Sequence, residues 1–545
     1  MPNEPIAVEL AKKQKDVSVA EFFERNRHLL GFDNKRKALL TVVKEAVDNS
    51  LDACEEAKML PEVNIQIVEM GNDRFRITVE DNGPGIVKKQ IPNVFARLLY
   101  GSKFHALKQA RGQQGIGISA AVLYAQLTTG RPAKIWSRIS PTQPAHYYEL
   151  HIDTQKNSPE IVKEEEANWK KEHGVKIELD VEATYQKGDQ SVDSYLKQTA
   201  IANPHVTIIY TNPKAEQLIF PRATDKLPKE PQEIKPHPYG IELGIMLKML
   251  KNTECRTLQS FLIKEFSRVG SGTAKEICDK AGLFTNMKPA ELQLPHVEKL
   301  IAAIKETKII APSTDCIVPI GEVLLEKGLR KEVAAEFYTA VSRSPEVYKG
   351  IPFVIEVAIA YGGEQQADGP INLLRFANRV PLLYQQGSCA STKSVIQTNW
   401  KPYGLSQSQG AIPHGPLTLA VSMVSVWPPF TSEAKEAVAH YPEIIKEMKL
   451  ALQEAGRRLG TYVNKKRRVS EQQERVNIFE NYIPEVADAL SRLSGVGKEK
   501  IAESMKKMLE KNKEYIIAHK EAHQVETKER KEKEEQVKLA GVEDE

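Results

Sequence analysis

Three polar side chains near the amino terminus have the spacing of one helix face. The run Lys44–Ala53 reads K-E-A-V-D-N-S-L-D-A and places Glu45, Asn49 and Asp52 at i, i+4 and i+7, on one side of an α-helix. An amide offers a hard oxygen to Mg²⁺ beside phosphate oxygens, and a carboxylate can polarise an attacking water. The other side is apolar, with Leu40, Val43 and Val47. Polar ridges are ordinary on amphipathic helices, so both interpretations stay open.

A second candidate follows a predicted strand. Residues 80–86 read E-D-N-G-P-G-I. A carboxylate at a strand end, followed by two glycines, lets the backbone approach a flat ring. Asp81 could then accept a hydrogen bond from an adenine amino group. A simple Asp-Asn-Gly turn explains the same residues equally well.

A glycine-rich loop that enters a predicted helix is the third candidate. Its spacing is G-x-x-G-x-G, which differs from the dinucleotide-binding G-x-G-x-x-G, and no phosphate-loop lysine follows. Free backbone N–H groups at such a loop and helix start can cradle phosphates. The candidate residues are Gly112, Gln113, Gln114, Gly115, Ile116, Gly117, Ile118 and Ser119.

The three segments in this order resemble the GHKL ATPase superfamily, which includes gyrase-type topoisomerases, heat-shock chaperones, mismatch-repair proteins and histidine kinases. The resemblance implies an α+β protein with a GHKL (Bergerat) ATPase α/β sandwich that uses ATP and Mg²⁺. It makes Glu45 the general base, Asn49 the Mg²⁺ ligand and Asp81 the adenine contact. The loop from Gly112 would hold the phosphates. Family members often carry a threonine near the adenine where this sequence has Val175, so that contact is left unassigned.

The segment between Gly85 and Gly112, which we call the lid, narrows the resemblance. Residues 98–105 read L-L-Y-G-S-K-F-H, and residues 108–118 read K-Q-A-R-G-Q-Q-G-I-G-I. Both are similar to the family of topoisomerase VI B subunits. In that family the Ser-Lys pair touches nucleotide, which makes Ser102 and Lys103 candidates. The alternative interpretation of Lys103 is a solvated lid lysine, because most lysines are exposed.

The resemblance continues into the second half of the chain. Residues 375–384 (R-F-A-N-R-V-P-L-L-Y) and 429–436 (P-F-T-S-E-A-K-E) are similar to the family's transducer domain. That domain reaches a lysine back to the γ-phosphate, and Lys435 matches its place, so we group it with the catalytic residues. The residues also fit a second interpretation, in which Lys435 lies in the first turn of a helix that starts near Ser432, with Ser432 as the N-cap. The two interpretations are compatible.

Several elements must position these residues. Alternating apolar and polar residues predict a hairpin of strands 63–69 and 75–80 around Gly71-Asn72-Asp73. Residues 239–308 have only helical periodicity, as expected for the family's small helix-two-turn-helix domain. The expected domains are an N-terminal strap (1–20), the ATPase domain (21–227), the helix-two-turn-helix domain (228–310), an α/β transducer with a long C-terminal helix (311–470), and a helical segment with a charged tail (471–545).

Composition bounds the partners. The chain is 41% hydrophobic and 27% charged with a net charge of +4, so any DNA surface must be local. Candidate DNA-facing segments are residues 264–275, the basic run 465–468 and the hairpin-like 493–501; a helix corner or a solvated face explains each of them too. No apolar run is long enough to span a membrane, and we expect a cytoplasmic protein.

The family implies an ATP-driven clamp. Two chains would dimerise on binding ATP, capture a duplex and pass it through a break made by a tyrosine-bearing A subunit, in an A2B2 heterotetramer that relaxes and decatenates DNA. The alternative is a GHKL-type ATP-driven chaperone or DNA-repair clamp, which would share the nucleotide site. ATPase stimulation by DNA and by an A subunit distinguishes the two.

Overall fold

The computed structural model describes residues 6–12, 14, 16–103, 106–112, 115–432 and 434–511. The chain divides into two compact units, residues 1–459 and 460–545. Helices and mixed sheets together confirm the predicted α+β class. The strands are β1 Glu62–Gly71, β2 Arg74–Asp81, β3 Ala133–Arg138, β4 Ala145–Asp153, β5 Ser158–Ala167, β6 Gly174–Glu182, β7 Thr207–Thr211, β8 Gln217–Phe220, β9 Phe337–Ser342, β10 Glu346–Tyr348, β11 Ile351–Tyr361, β12 Asn372–Ala377, β13 Val380–Pro381 and β14 Leu417–Ser425.

Most of the helices lie in the first unit, and the last one extends past residue 459. They are α1 Ile6–Lys12, α2 Val19–Arg25, α3 Lys35–Glu56, α4 Ile91–Ala96, α5 Gly117–Thr129, α6 Val192–Ala202, α7 Leu243–Asn252, α8 Leu258–Glu265, α9 Ser271–Ala281, α10 Leu294–Glu306, α11 Glu322–Glu332, α12 Ala390–Gln397 and α13 Pro442–Ser494.

The first sheet is eight-stranded, in the order β5-β4-β3-β6-β2-β1-β7-β8. The predicted hairpin is present as β1 and β2, which pair antiparallel. Its turn residues Asn72 and Asp73 have φ of 54° and 57°, a left-handed conformation that Asn and Asp tolerate. Alternate residues of β2 (Phe75, Ile77, Val79) are buried against the helices. Asp81 ends this inward-facing row, so its carboxylate points to the same side.

Helix α3 lies on the inner face of this sheet. Asn34 caps it, since its side chain accepts a hydrogen bond from the Lys37 N–H at 2.9 Å. Leu40, Val43 and Val47 are buried, as predicted for the apolar side. Burying that stripe against β2 and α5 fixes the rotation of the helix, so the polar ridge with Glu45 and Asn49 turns away from the core.

The region between the two sheets is helical, as predicted. Helices α7 to α10 enclose a core of their own that includes Phe261, Phe266 and Ile277. The second sheet has the order β10-β11-β14-β12-β13, with β9 also pairing β11. Strand β12 runs parallel to its neighbour β14, and the tight β12–β13 turn at Asn378 and Arg379 has φ of 48° and 67°.

The predicted helix start near Ser432 is wrong, because α13 begins only at Pro442. The described residues between Ser432 and Pro442 form a loop. It is closed by a bridge between Phe430 and Val438 and by the Thr431 N–H, which donates to the Ala437 carbonyl at 2.9 Å. A serine followed by helix-forming residues suits such a turn as well as a helix start, and tertiary pairing decides between them.

The second unit is helical in its described part. Helix α13 ends at Ser494, residues 495–497 are not helical, and residues 498–511 form another helix. This break coincides with the hairpin predicted at 493–501, while its contact with DNA remains a prediction. Residues 512–545, where we expect a charged tail, lie outside the described residues. Among the helices of the described ranges, none combines the length and apolar character needed to cross a membrane.

Candidate nucleotide site

One cavity of about 580 Å³ lies between helix α3, the end of β2, the glycine loop and the second sheet. Its lining includes most of the residues predicted from the sequence: Glu45, Asn49, Asp81, Ser102, Lys103, Gly112, Gly115, Ile116, Gly117, Ile118 and Lys435. Gln113 and Gln114 lie outside the described residues. Residues that are hundreds of positions apart in the chain thus share one site.

Glu45 lines the cavity beside Lys44 and Gly117. Lys44 Nζ lies 3.0 Å from Glu45 Oε1. A Cβ added to Gly117 would lie only 1.7 Å from Glu45 Oε2, so the carboxylate can keep this position at the start of α5 only beside a glycine. Burial favours the neutral acid, but the positive charges of Lys44 and Lys435 hold the pKa of Glu45 below its ordinary value. The side chain is therefore an ionised carboxylate at neutral pH.

Asn49 lies one turn further along α3 and is exposed to the cavity. Its Oδ1 is 3.4 Å from where a Cβ of Gly112 would be, so the amide meets the start of the glycine loop. No cluster of three or more His, Cys, Asp or Glu side chains in the described residues could hold a metal alone. A single amide beside a phosphate cradle nevertheless fits Mg²⁺, which commonly takes few protein ligands and completes its shell with phosphates and water.

Asp81 is buried at the end of β2 and held by three donors. Its Oδ1 accepts from the Gly83 and Val175 N–H groups at 2.9 and 3.0 Å, and its Oδ2 accepts from the Ser50 hydroxyl at 2.8 Å. A carboxylate oxygen accepts two hydrogen bonds, so Oδ2 has capacity for one more donor. Val175 thus supports Asp81 through its backbone.

The glycine loop leads into α5 without a side-chain cap. Ile116 precedes the helix and offers no polar side chain, so the first N–H groups of α5 are available to an anion. Gly115 has φ of 56°, a backbone conformation that favours glycine. Ser119 does not line the cavity, because it is buried and its hydroxyl donates to the Ile116 carbonyl at 2.9 Å. Its backbone still belongs to the first turn of the helix.

Lys103 is held by acids at the cavity wall. Its Nζ lies 2.9 Å from Asp52 Oδ2 and 2.9 Å from Glu56 Oε1, which disagrees with a solvated lid lysine. Burial lowers its pKa, but the two carboxylates outweigh this and raise the pKa of Lys103 above its ordinary value. Ser102 lies beside it in the lining. A cation is therefore available next to the glycine loop.

Lys435 enters the cavity from the second-sheet region. Its Nζ donates to the Arg111 carbonyl at 3.1 Å, and its own φ is 54°. The proposed alternative, a position in the first turn of a helix capped by Ser432, is wrong, since this residue belongs to the loop before α13. Burial lowers the pKa of Lys435, and the carboxylate of Glu45 opposes that shift.

Sequence reasoning missed several residues that complete the site. Lys44, Ser50 and Arg111 bond to Glu45, Asp81 and Asp52 respectively. Lys37 and Glu436 form a buried ion pair that ties α3 to the loop carrying Lys435. Their partners are distant in the chain, apart from the adjacent Lys44 and Glu45, so spacing gave no signal for them.

Comparison with known families agrees with this architecture. Residues 34–156 match the family described as histidine kinase-, DNA gyrase B-, and HSP90-like ATPase, and residues 312–475 match the topoisomerase VI B subunit transducer. The B subunit of type 2 DNA topoisomerase 6 from Methanococcoides burtonii is 54% identical over 488 residues, covering 89% of this chain and 78% of that protein.

Two further proteins of the same name give the same result. The one from Methanosarcina mazei is 52% identical over 484 residues, covering 89% of this chain and 78% of that protein. The one from Thermococcus kodakarensis is 40% identical over 551 residues, covering 92% and 96%. With its ATPase site and transducer, the chain belongs to the family of topoisomerase VI B subunits, the ATP-hydrolysing subunits of type IIB DNA topoisomerases.

Proposed function

We propose that the cavity binds ATP with Mg²⁺ and hydrolyses it to drive a DNA-capturing clamp. The observation that carries this proposal is the convergence of Glu45, Asn49, Asp81, Lys435 and the glycine loop on one cavity. Asp81 Oδ2, which already accepts from the Ser50 hydroxyl, accepts a second hydrogen bond from the adenine amino group. The loop from Gly112 to Ser119 and the first N–H groups of α5 bind the phosphates.

The metal has one protein ligand in this proposal. Asn49 Oδ1 would hold Mg²⁺, and phosphate oxygens and water would complete its shell. When bound, the ion supplies positive charge that offsets the charge of the triphosphate. Ser102 and Lys103 approach the phosphates from the lid, which requires Lys103 to exchange Asp52 and Glu56 for phosphate oxygens.

Glu45 is the general base. Its carboxylate is ionised and lies against the first residue of α5, so it can take a proton from a water held at the phosphate end of the cavity. Lys44 holds one of its oxygens. Because this pairing fixes the carboxylate, the water meets a base that is already oriented.

Lys435 reports the state of the nucleotide. It can leave the Arg111 carbonyl for the γ-phosphate, where a charge-assisted contact exists only while the triphosphate is intact. Hydrolysis removes this contact, so the second-sheet region, the transducer, senses cleavage. The predicted domain boundaries (1–20, 21–227, 228–310, 311–470 and 471–545) stay predictions within this scheme.

The assembly proposed is an A2B2 heterotetramer with a tyrosine-bearing A subunit. ATP would bring two chains together through their ATPase regions, with the strap reaching the partner copy. The described part of the strap exposes Ile6 and Leu10, at 76% and 56%, which would be covered in such a dimer. On α13 an apolar stripe that includes Phe479 and Tyr482 is exposed and would bind the A subunit.

Substitution of Glu45 by Gln tests the proposal. We expect ATP affinity within about threefold of the wild type, because the base makes no ground-state contact that binding needs, and kcat reduced at least about 100-fold. Glu298→Gln, an exposed residue of α10, is the matched control. Supercoil relaxation with an added A subunit should fall in parallel with kcat. Wild-type hydrolysis by Glu45→Gln would refute the assignment.

A further inference from the structure

Arg111, at the junction of the lid and the glycine loop, faces two parts of the molecule at once. Its side chain is 4% exposed. One terminal nitrogen donates to Asp52 Oδ1 and Glu55 Oε2, both at 2.9 Å. The other donates to Glu55 Oε1 at 2.7 Å and to Asn203 Oδ1. Such a fork fits the planar guanidinium and no other side chain.

The two carboxylates belong to the helix that carries the site. Asp52 and Glu55 follow Asn49 on α3 by one and almost two turns. Asp52 Oδ2 also accepts from the Gly112 N–H at 3.3 Å. The start of the glycine loop is therefore fixed to the same rigid helix as Glu45, through the side chain of Arg111 and the backbone next to it.

The backbone of the same segment is bonded to the transducer. The Arg111 carbonyl accepts from Lys435 at 3.1 Å and the Ala110 carbonyl accepts from Asn378 Nδ2 at 3.1 Å. The Gln109 N–H donates to the Cys316 carbonyl at 2.8 Å. Three consecutive residues thus meet the transducer, while the side chain of the third meets α3.

We propose that Arg111 is a positioning residue that couples the glycine loop to Lys435. Its guanidinium fixes the loop on α3, and its carbonyl is the resting acceptor that Lys435 leaves when a triphosphate is bound. The inference rests on the proposed function, since it takes Lys435 as the residue that contacts the γ-phosphate. Arg111 touches no reacting atom in this scheme. It acts by keeping the phosphate cradle and the resting place of Lys435 in one rigid arrangement.

A purely structural role of Arg111 and a coupling role predict different effects of combined substitutions on kcat. If Arg111 only stabilises the fold, its loss and the loss of Lys435 reduce kcat independently, and the factors multiply. If the two residues act as a unit, the second substitution adds little after the first. A double-mutant cycle in the kcat of ATP hydrolysis separates these cases.

The cycle uses Lys435→Met with Arg111→Lys, which keeps the charge but cannot form the fork. We expect Lys435→Met alone to lower kcat at least about tenfold, and to cost less than about twofold more in the Arg111→Lys background. Arg76 also forms a carboxylate fork, with Asp180 at 2.8 and 3.0 Å, away from the cavity. In an Arg76→Lys background the full tenfold effect of Lys435→Met should remain.

Asn378→Gly keeps the test decisive if Arg111→Lys fails to fold, because glycine adopts the φ of 48° at this position without strain. It frees the Ala110 carbonyl from the transducer without uncovering a buried charge, at the cost of the Ser425 N–H that donates to Asn378 Oδ1. The same non-additivity with Lys435→Met is expected. If Lys435→Met costs the same factor in all backgrounds, the coupling by Arg111 is overturned and the role of Lys435 stands. If Lys435→Met alone leaves kcat unchanged, the proposed role of Lys435 falls, and this inference falls with it.

Discussion

The Glu45 carboxylate lies directly against Gly117, the first residue of α5. A Cβ at Gly117 would be 1.7 Å from Glu45 Oε2 and 2.6 Å from its Cδ. Only a residue without a side chain permits this close approach, so the position of the Glu45 carboxylate depends on the glycine at the start of α5. The contact joins the expected base to the expected phosphate cradle, two elements that the sequence separates by more than a whole β-hairpin.

Gly117→Ala should therefore impair catalysis through Glu45. The added methyl group forces the carboxylate to turn away, and we expect kcat to fall at least about 100-fold, as for loss of a positioned base. Steady-state ATPase kinetics measure this. Gly244→Ala, in helix α7 with open space around the added methyl group, is the control and should hydrolyse ATP normally. Equal kcat values for both variants would contradict the close fit.

Asp81→Asn should change nucleotide preference. The Asn oxygen must keep the Gly83 and Val175 N–H groups, so the NH₂ group takes the place of Oδ2. Two donors then face each other at the adenine amino group, and we expect ATP affinity to fall about 10- to 100-fold, from an unmade buried hydrogen bond. Inosine triphosphate carries an acceptor at this position, so its affinity should fall much less. Calorimetric titration measures the affinity for both nucleotides. If the ratio of the two affinities is the same in Asp81→Asn as in the wild type, Asp81 does not contact the adenine amino group.

The pH dependence of ATP hydrolysis should reveal the effect of Lys44 on the pKa of Glu45. The pKa of Glu45 lies below its ordinary value, so the carboxylate is present above that value and is lost only as pH falls through the folded pKa. Lys44→Met removes a cause of this depression and leaves the effect of burial, which raises the pKa. The acidic limb of the kcat profile should therefore move to higher pH. An acidic limb at the same pH in the wild type and in Lys44→Met would show that Lys44 does not tune the base.

The exposed stripe of α13 should bind the A subunit. Tyr482 is 62% exposed, and a charge there would be buried at the interface at considerable cost. We expect Tyr482→Glu to abolish co-purification with the A subunit while ATP affinity stays unchanged. Gln473→Glu places the same charge on the opposite side of the helix, at 100° per residue, and should bind normally. Loss of binding in both variants would show that added negative charge anywhere on the helix prevents binding, which would contradict a specific role of the apolar stripe.

Local periodicity was sufficient for the elements that carry the site. The i, i+4, i+7 spacing of Glu45, Asn49 and Asp52 and the Gly71-Asn72-Asp73 turn are properties of short segments, and both predictions are confirmed. The strands β5, β7 and β8 were not predicted. Strands β5 and β8 are the two edge strands of the first sheet, and β7 lies next to β8. The edge strands β5 and β8 bury few side chains, so their alternating pattern is weak.

Contacts across the chain could not be predicted in this way. The position of Lys435 at the site was predicted from a family resemblance. Nothing in the sequence around Lys435 indicates its hydrogen-bond partner, which lies 324 residues away in the chain. The local pattern even favoured a helix at Ser432, where a bridged loop is found. Nothing in the sequence around Arg111 indicates the four polar contacts of its side chain.

The most direct test of the account is a structure of the chain with Mg²⁺ and a nonhydrolysable ATP analogue. We predict the adenine amino group on Asp81 Oδ2, the ion on Asn49 Oδ1, and Lys435 Nζ moved from the Arg111 carbonyl to the γ-phosphate. A nucleotide bound elsewhere, or a triphosphate in the cavity with Lys435 still on Arg111, would contradict the account.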